Sequence, residues 1–193
     1  MKRKLFLIGP PGCGKSALIK AILGVRMQGA GGFVTEKEFD EKGNILSCTL
    51  IPAAAAAGVE GLEGEVFLDY TANPPKSDNE VFRNLGTQLV NEAMYYPFAV
   101  LDGFGGTDLL IPQYRAALQE LLNSELPCIG VIKSAEEVKQ LQKDFHLTER
   151  FIMLTDNLRN ALTSNSDTIV LETSGKGDIK TLRIIQQWAK EYT

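Results

Sequence analysis

Apolar and polar positions alternate along this chain in two distinct rhythms. Lys4 to Ile8 is a short continuous apolar run, the signature of a parallel strand buried on both faces. Ser16 to Leu23 has helical spacing, with Ala17, Leu18, Ala21 and Ile22 available for packing, and the glycine cluster Gly29 to Gly32 marks a loop. Phe33 to Phe39 and Asn44 to Ile51 predict two strands joined through Asp40-Glu41-Lys42-Gly43 as a hairpin. Pro52 to Gly58 reads either as a short helix or as a tight surface loop, and Val66-Phe67-Leu68 as a further strand. Helical spacing returns over Glu80 to Met94 (Val81, Leu85, Leu89, Ala93), where Gly86 is an unfavourable interior residue. Phe98 to Leu101 is the second buried run and ends at Asp102.

Gln113 to Asn123 is amphipathic, with Tyr114, Ala117, Leu118, Leu121 and Leu122 on one face. Cys128 to Ile132 is a third buried run. Ser134 opens a capping box with Glu137 ahead of a helix reaching His146. Phe151 to Leu154 and Thr168 to Leu171 are expected to be the fourth and fifth strands of this kind. Ile179 to Tyr192 closes as a helix with Ile179, Leu182, Ile185 and Trp188 on one side. Strands alternating with helices predict an α/β fold with a parallel sheet covered on both faces. With neither an internal repeat nor a Pro/Ser-rich linker, residues 1–193 are expected to form one domain.

Composition narrows the function classes. Lys and Arg number 20 against 24 Asp and Glu, so the net charge of −4 exerts no general pull on nucleic acid or anionic lipid. The apolar run after Met1-Lys2-Arg3-Lys4 stops at Gly9-Pro10-Pro11, too short for an export signal. The low-charge stretch from Ile45 to Val59 is interrupted by Pro52. Three widely spaced cysteines (Cys13, Cys48, Cys128) support neither a disulfide framework nor a zinc site. A cytoplasmic protein is expected, without a membrane or an evident nucleic-acid partner; protein partners are not legible.

Gly9-Pro10-Pro11-Gly12-Cys13-Gly14-Lys15-Ser16 satisfies GxxxxGK[ST], directly after a predicted strand and opening a predicted helix. Such a loop captures anions with unpaired backbone N–H groups, reinforced by the positive end of the helix. Residues Gly9 to Ala17 therefore form the expected nucleotide cradle. Lys15 would reach the β- and γ-phosphates, and the Ser16 hydroxyl would ligate Mg²⁺. Cys13, near a helix start, is a candidate redox-sensitive thiol or simply a small side chain. Asp102, at a strand end, is where a carboxylate that holds Mg²⁺ commonly sits.

The stretch Phe98-Ala99-Val100-Leu101-Asp102-Gly103-Phe104-Gly105-Gly106-Thr107-Asp108-Leu109, followed by a helix and the strand Pro127 to Ile132, resembles the THEP1-type nucleoside-triphosphatase family. Gly32-Phe33-Val34-Thr35-Glu36 is similar to that family's GFxTxE segment, and Leu154-Thr155-Asp156-Asn157-Leu158-Arg159 to its late VTxxNR segment. The resemblance spans roughly residues 3 to 160. It implies a P-loop NTPase-type three-layer sandwich with a mostly parallel central sheet and a β-hairpin excursion after the first helix. It also implies slow, Mg²⁺-dependent hydrolysis of ATP, GTP and other triphosphates, with Lys15, Asp102, Asp108 and Arg159 as the catalytic set and Ser16 and Asp102 as metal ligands.

Two positions depart from the family. Gly103 replaces the acidic residue after the strand-end Asp, and Asp108 stands where a later Glu is usual. A carboxylate beside the metal-holding Asp would orient or deprotonate water, so Asp108 either substitutes for it or caps the next helix. Arg159 is a candidate for stabilising phosphoryl charge or stacking on the base, with a solvated arginine as the alternative. Thr35 and Glu36 are candidates to line the nucleotide or a second substrate, with plain alternation in a hairpin as the alternative, and His146 has no visible partner. Three rivals stay open. A switch GTPase is suggested by Asp102-Gly103-Phe104-Gly105 and by Glu172-Thr173-Ser174-Gly175-Lys176, but lacks a base-reading [NT]KxD: Lys133-Ser134-Ala135-Glu136 stands there. A small-molecule kinase would use Arg150 and Arg159. A binding module would hydrolyse little.

Overall fold

A computed structural model describes residues 1–175 and 177–193. Eight strands form one sheet in the order β5-β4-β3-β2-β6-β7-β1-β8. They are β1 (Lys4–Ile8), β2 (Gly31–Phe39), β3 (Ile45–Pro52), β4 (Glu65–Asp69), β5 (Lys76–Ser77), β6 (Ala99–Phe104), β7 (Cys128–Ile132) and β8 (Thr168–Glu172). The run β2-β6-β7-β1-β8 is parallel throughout, whereas β3, β4 and β5 add antiparallel neighbours at the β2 edge. The expected mostly parallel sheet with a hairpin after the first helix is thus present, and the hairpin continues into two further strands.

Burial on both faces explains the continuous apolar runs. Leu5 and Leu7 of β1 pack with one cluster while Phe6, pointing the opposite way, belongs to the other. On the Leu5 face lie α1 (Lys15–Leu23) and the closing helix α7 (Ile179–Tyr192). On the Phe6 face lie α2 (Asn79–Val81) and α3 (Thr87–Glu92), which a π turn over Phe82–Gly86 joins, then α4 (Pro112–Asn123), α5 (Ala135–Asp144) and α6 (Glu149–Ser164). The result is a three-layer α/β sandwich. All five residues expected on the buried face of α4 are buried. No described helix is long and apolar enough to cross a membrane.

Several local expectations are corrected. Phe151 to Leu154 is not a strand: it lies inside α6, whose buried residues Phe151, Thr155 and Leu162 fall on one helical face. A four-residue apolar run cannot distinguish a strand from a buried helical turn. The helix expected from Glu80 to Met94 is interrupted by the π turn, and its last turn, Ala93–Tyr95, is a 3-10 helix. In α7 the buried face is Thr181, Ile185, Trp188 and Ala189, and Ile179 is exposed at the helix start. Gly31 and Gly32, expected in a loop, begin β2. Pro52 to Gly58 contains a short 3-10 helix at Ala55–Ala57.

Candidate phosphate-binding cleft

The carboxyl ends of β1, β6 and β7 meet in a cleft of about 400 Å³. β1 ends at Ile8, residues 9–14 form a loop, and α1 begins at Lys15. No side chain caps this helix and no acidic residue occupies its first turn, so its amide-rich end is electrostatically uncompensated. Lys15 is buried. Its ammonium donates to the carbonyl oxygens of Gly9 at 2.8 Å and Pro10 at 2.7 Å, curling the loop around one cation. Gly12, Gly14, Lys15, Ser16 and Ala17 line the cleft, while Pro11 lines a neighbouring cavity. The Cys13 thiol lies 3.9 Å from both the Lys15 ammonium and the Thr173 carbonyl.

Asp102, in β6, is brought beside this loop. The Ser16 hydroxyl donates to its Oδ1 at 2.8 Å, joining residues 86 positions apart. Only 2% of Asp102 is exposed, and burial raises its carboxyl pKa from 3.8 to about 6 against the opposing pull of Ser16, Lys20, Lys133 and Lys37. The pair supplies two hard oxygen donors. Among the described residues no cluster of three or more His, Cys, Asp or Glu could hold a metal by itself. A cation here would therefore share its shell with phosphate oxygens and water, which matches the coordination habit of Mg²⁺.

Gly103 has a backbone reason for its identity. Its φ is +90°, and a Cβ there would lie 2.1 Å from the Thr35 hydroxyl oxygen. The place beside Asp102 is thus filled from β2 by Thr35, which lines the cleft with Glu36. Asp108 stands apart from it. It is 1% exposed and absent from the cleft lining, and its oxygens accept from the Gly105 N–H at 3.0 Å and the Gly106 N–H at 2.5 Å. The residue preceding α4 is Ile111, so the expected capping role does not hold either. Asp108 instead pins the loop between β6 and α4. Burial raises its carboxyl pKa, and the buried Tyr114 phenol beside it is pushed well above its ordinary range by burial and by Asp108.

Arg159 is likewise absent from the cleft lining. One of its amino groups donates to the Lys133 carbonyl at 2.9 Å and the other pairs with Asp156 at 3.3 Å. Burial lowers the guanidinium pKa, and Asp156 and Glu137 oppose that. Of the expected catalytic set, Lys15 and Asp102 converge and Asp108 and Arg159 do not. His146 follows α5 with a positive φ of 50°, and Lys176 of the guanine-like stretch lies outside the described residues.

The sequence reading assigned no role to Lys133, which follows β7 directly. Its backbone N–H donates to the Phe104 carbonyl at 3.0 Å, and its side-chain stem lies over Gly106, where a Cβ would approach it to 2.6 Å. It is buried and lines the cleft with Lys37 and Glu137. Ser134 and Glu137 form both halves of the predicted capping box. Burial works to raise the Glu137 carboxyl, but Lys133, the Ser134 amide, Lys37 and Lys15 together hold it below its ordinary range. The signal for Lys133 was topological, since the first residue after a central parallel strand emerges at the strands' carboxyl ends, where ligands bind.

A family model described as NTPase matches residues 4–166. No curated protein matches the chain significantly. Among solved structures, the crystal structure of THEP1 from the hyperthermophile Aquifex aeolicus aligns with a TM-score of 0.63 at 15% identity, covering 97% of this chain and 99% of that one. The solution structure of a human cancer-related nucleoside triphosphatase aligns at 0.49 and 16%, covering 85% and 100%. A strand–loop–helix cradle on this sheet, together with the match over most of its length, places the chain in the THEP1-type NTPase family.

Proposed function

We propose that the protein is a Mg²⁺-dependent nucleoside-triphosphatase that converts NTPs slowly to NDP and phosphate. One observation carries this reading: the hydroxyl of Ser16, at the amide-rich start of α1, is hydrogen-bonded at 2.8 Å to a buried carboxylate from β6. Loop amides and Lys15 would hold the polyphosphate, and Ser16 and Asp102 would hold the metal. When bound, Mg²⁺ would screen the charge that builds on the β- and γ-oxygens. Lys133 would place a second ammonium on the terminal phosphate, the part an arginine finger plays elsewhere.

Slow turnover is part of the proposal. Gly103 offers no carboxylate, and Asp108 is committed to two backbone amides. Thr35 can orient water but is not a base at neutral pH. The test is phosphate release from ATP, GTP, CTP and UTP with and without Mg²⁺, beside calorimetric titration of the Lys15→Ala protein with a non-hydrolysable triphosphate. Release should require Mg²⁺ and Lys15→Ala should abolish tight binding. Unchanged affinity in that variant would defeat the assignment.

A further inference from the structure

A second cavity of about 330 Å³ adjoins the cleft and has a different character. The two share Lys37, Lys133 and Glu137, and the P-loop contributes Pro11 to the second one. Beyond that charged wall the lining is mainly apolar: Ile45 and Cys48 from β3, Leu68 from β4 and Leu141 from α5, with the Tyr70 ring at the side. Burial raises the Cys48 thiol pKa and pushes the Tyr70 phenol well above its ordinary range, so both stay neutral. Water alone does not require such a chamber. An apolar pocket with a few convergent polar groups is the usual receptor for a small organic molecule.

Glu137 joins the two spaces. Among the described residues it is the one carboxylate that lines both. Its Oε2 is fixed by the Ser134 N–H at 2.9 Å and its Oε1 lies 3.7 Å from the Lys37 ammonium, so its orientation is set by α5 and β2 together. Lys133 lies on the same wall. We propose that this cavity seats a phosphoryl acceptor, a small primary alcohol with an apolar or aromatic body, whose hydroxyl reaches the terminal phosphate past Glu137. The inference rests on the nucleotide reading above, since the triphosphate is the donor. The alcohol oxygen forms a bond to Pγ while the bond from Pγ to the β,γ-bridging oxygen breaks, and NDP leaves with that electron pair. The hydroxyl proton passes to the Glu137 carboxylate and then to solvent. The products are a phosphate monoester and NDP, and slow hydrolysis is the same transfer to water.

The probe is benzyl alcohol, added to the protein with ATP and Mg²⁺, and the products are followed by ³¹P NMR. Benzyl phosphate should form, and the ratio of ester to inorganic phosphate should fall at least about fivefold when a bulky ring blocks the cavity, since excluded nucleophiles lose their proximity advantage. Gln140→Trp provides the block from an exposed position on α5, and Ile45→Trp provides a second block from β3. Phosphate as the sole product, or an ester ratio indifferent to both substitutions in folded protein, overturns the acceptor site. Calorimetry with a non-hydrolysable ATP analogue separates the two readings. If the wild-type protein does not bind it, the nucleotide reading fails and takes the acceptor with it; if it binds and releases phosphate without ester, the acceptor site alone fails.

Discussion

Replacing Asp102 by Asn should make the metal-free protein more stable while removing its activity. The carboxylate is 2% exposed, so solvent screening gives it little relief. Each unit of pKa corresponds to about 1.4 kcal/mol, so a rise from 3.8 to about 6 means that the ionised form costs the folded state about 3 kcal/mol near pH 7.5. The sign follows from proton binding. The folded protein holds this proton more tightly than the unfolded chain, so stability is greatest below pH 3.8, falls as pH rises through about 6, and is level above that. Asn keeps an acceptor for the Ser16 hydroxyl and never ionises, so it escapes the whole cost.

The same relation leaves about 1 kcal/mol near pH 4.5, so about 2 kcal/mol of the gain should be pH-dependent. For a chain of this size, about 3 kcal/mol corresponds to a rise in Tm of about 6–12 °C, and about 1 kcal/mol to about 2–4 °C. Urea denaturation of both proteins in EDTA at the two pH values measures the difference directly. Any packing effect of the substitution is common to both conditions and cancels. A gain of equal size at both pH values, or no gain at pH 7.5, would refute the argument that Asp102 is strained by burial of charge. Mg²⁺ with a non-hydrolysable triphosphate should then raise the Tm of the wild-type protein more than that of the Asn variant, because on the proposed reading the ion compensates the carboxylate.

Gly103→Ala should cost at least about 2 kcal/mol by urea denaturation, from the positive φ and the collision with Thr35, and adding Thr35→Ala should recover the collision part only. Asp108→Asn should lower stability by about 1–3 kcal/mol, since an amide NH₂ would face a backbone N–H that now has an acceptor. A tenfold loss of turnover with unchanged Tm would instead restore Asp108 to the chemistry. Lys133→Met should reduce kcat by about 10²-fold with KM changed far less, and Lys133→Arg should restore part of it. Equal effects on kcat and on thermal stability would make Lys133 a structural residue.

What the sequence disclosed, and what it withheld, follow one physical line. Contiguous patterns were legible: the P-loop, the β1, β6 and β7 runs and the Ser134–Glu137 capping box each need only residues a few positions apart. Phe151 to Leu154 misled because four apolar residues fit either period, and the deciding partner, Leu162, lies two turns further on. Lys133 and Lys37 were missed because their meaning depends on which strands are neighbours, and the order β2-β6-β7-β1 is not written in any one segment. Asp108 shows the converse, since a carboxylate after a Gly-rich strand end looks catalytic until its own loop amides are found to occupy it.

Gly103 ties that line to function. A carboxylate at this position would require a different backbone, because the chain turns through a positive φ and Thr35 already occupies the space. The absence of an acidic side chain here is therefore built into the packing of β2 against β6, and a single Gly103→Glu substitution cannot supply one without moving Thr35. If Lys15 and Lys133 stand over the phosphates and Asp102 holds the metal, as proposed, the carboxylates left on the cleft wall are Glu36, which pairs with Lys20, and Glu137. Of these two, Glu137 is oriented by the Ser134 N–H, and it lines the apolar cavity as well as the cleft. On the proposed reading, the apolar wall beside Glu137 would favour a nucleophile that brings its own binding energy over one drawn from bulk solvent.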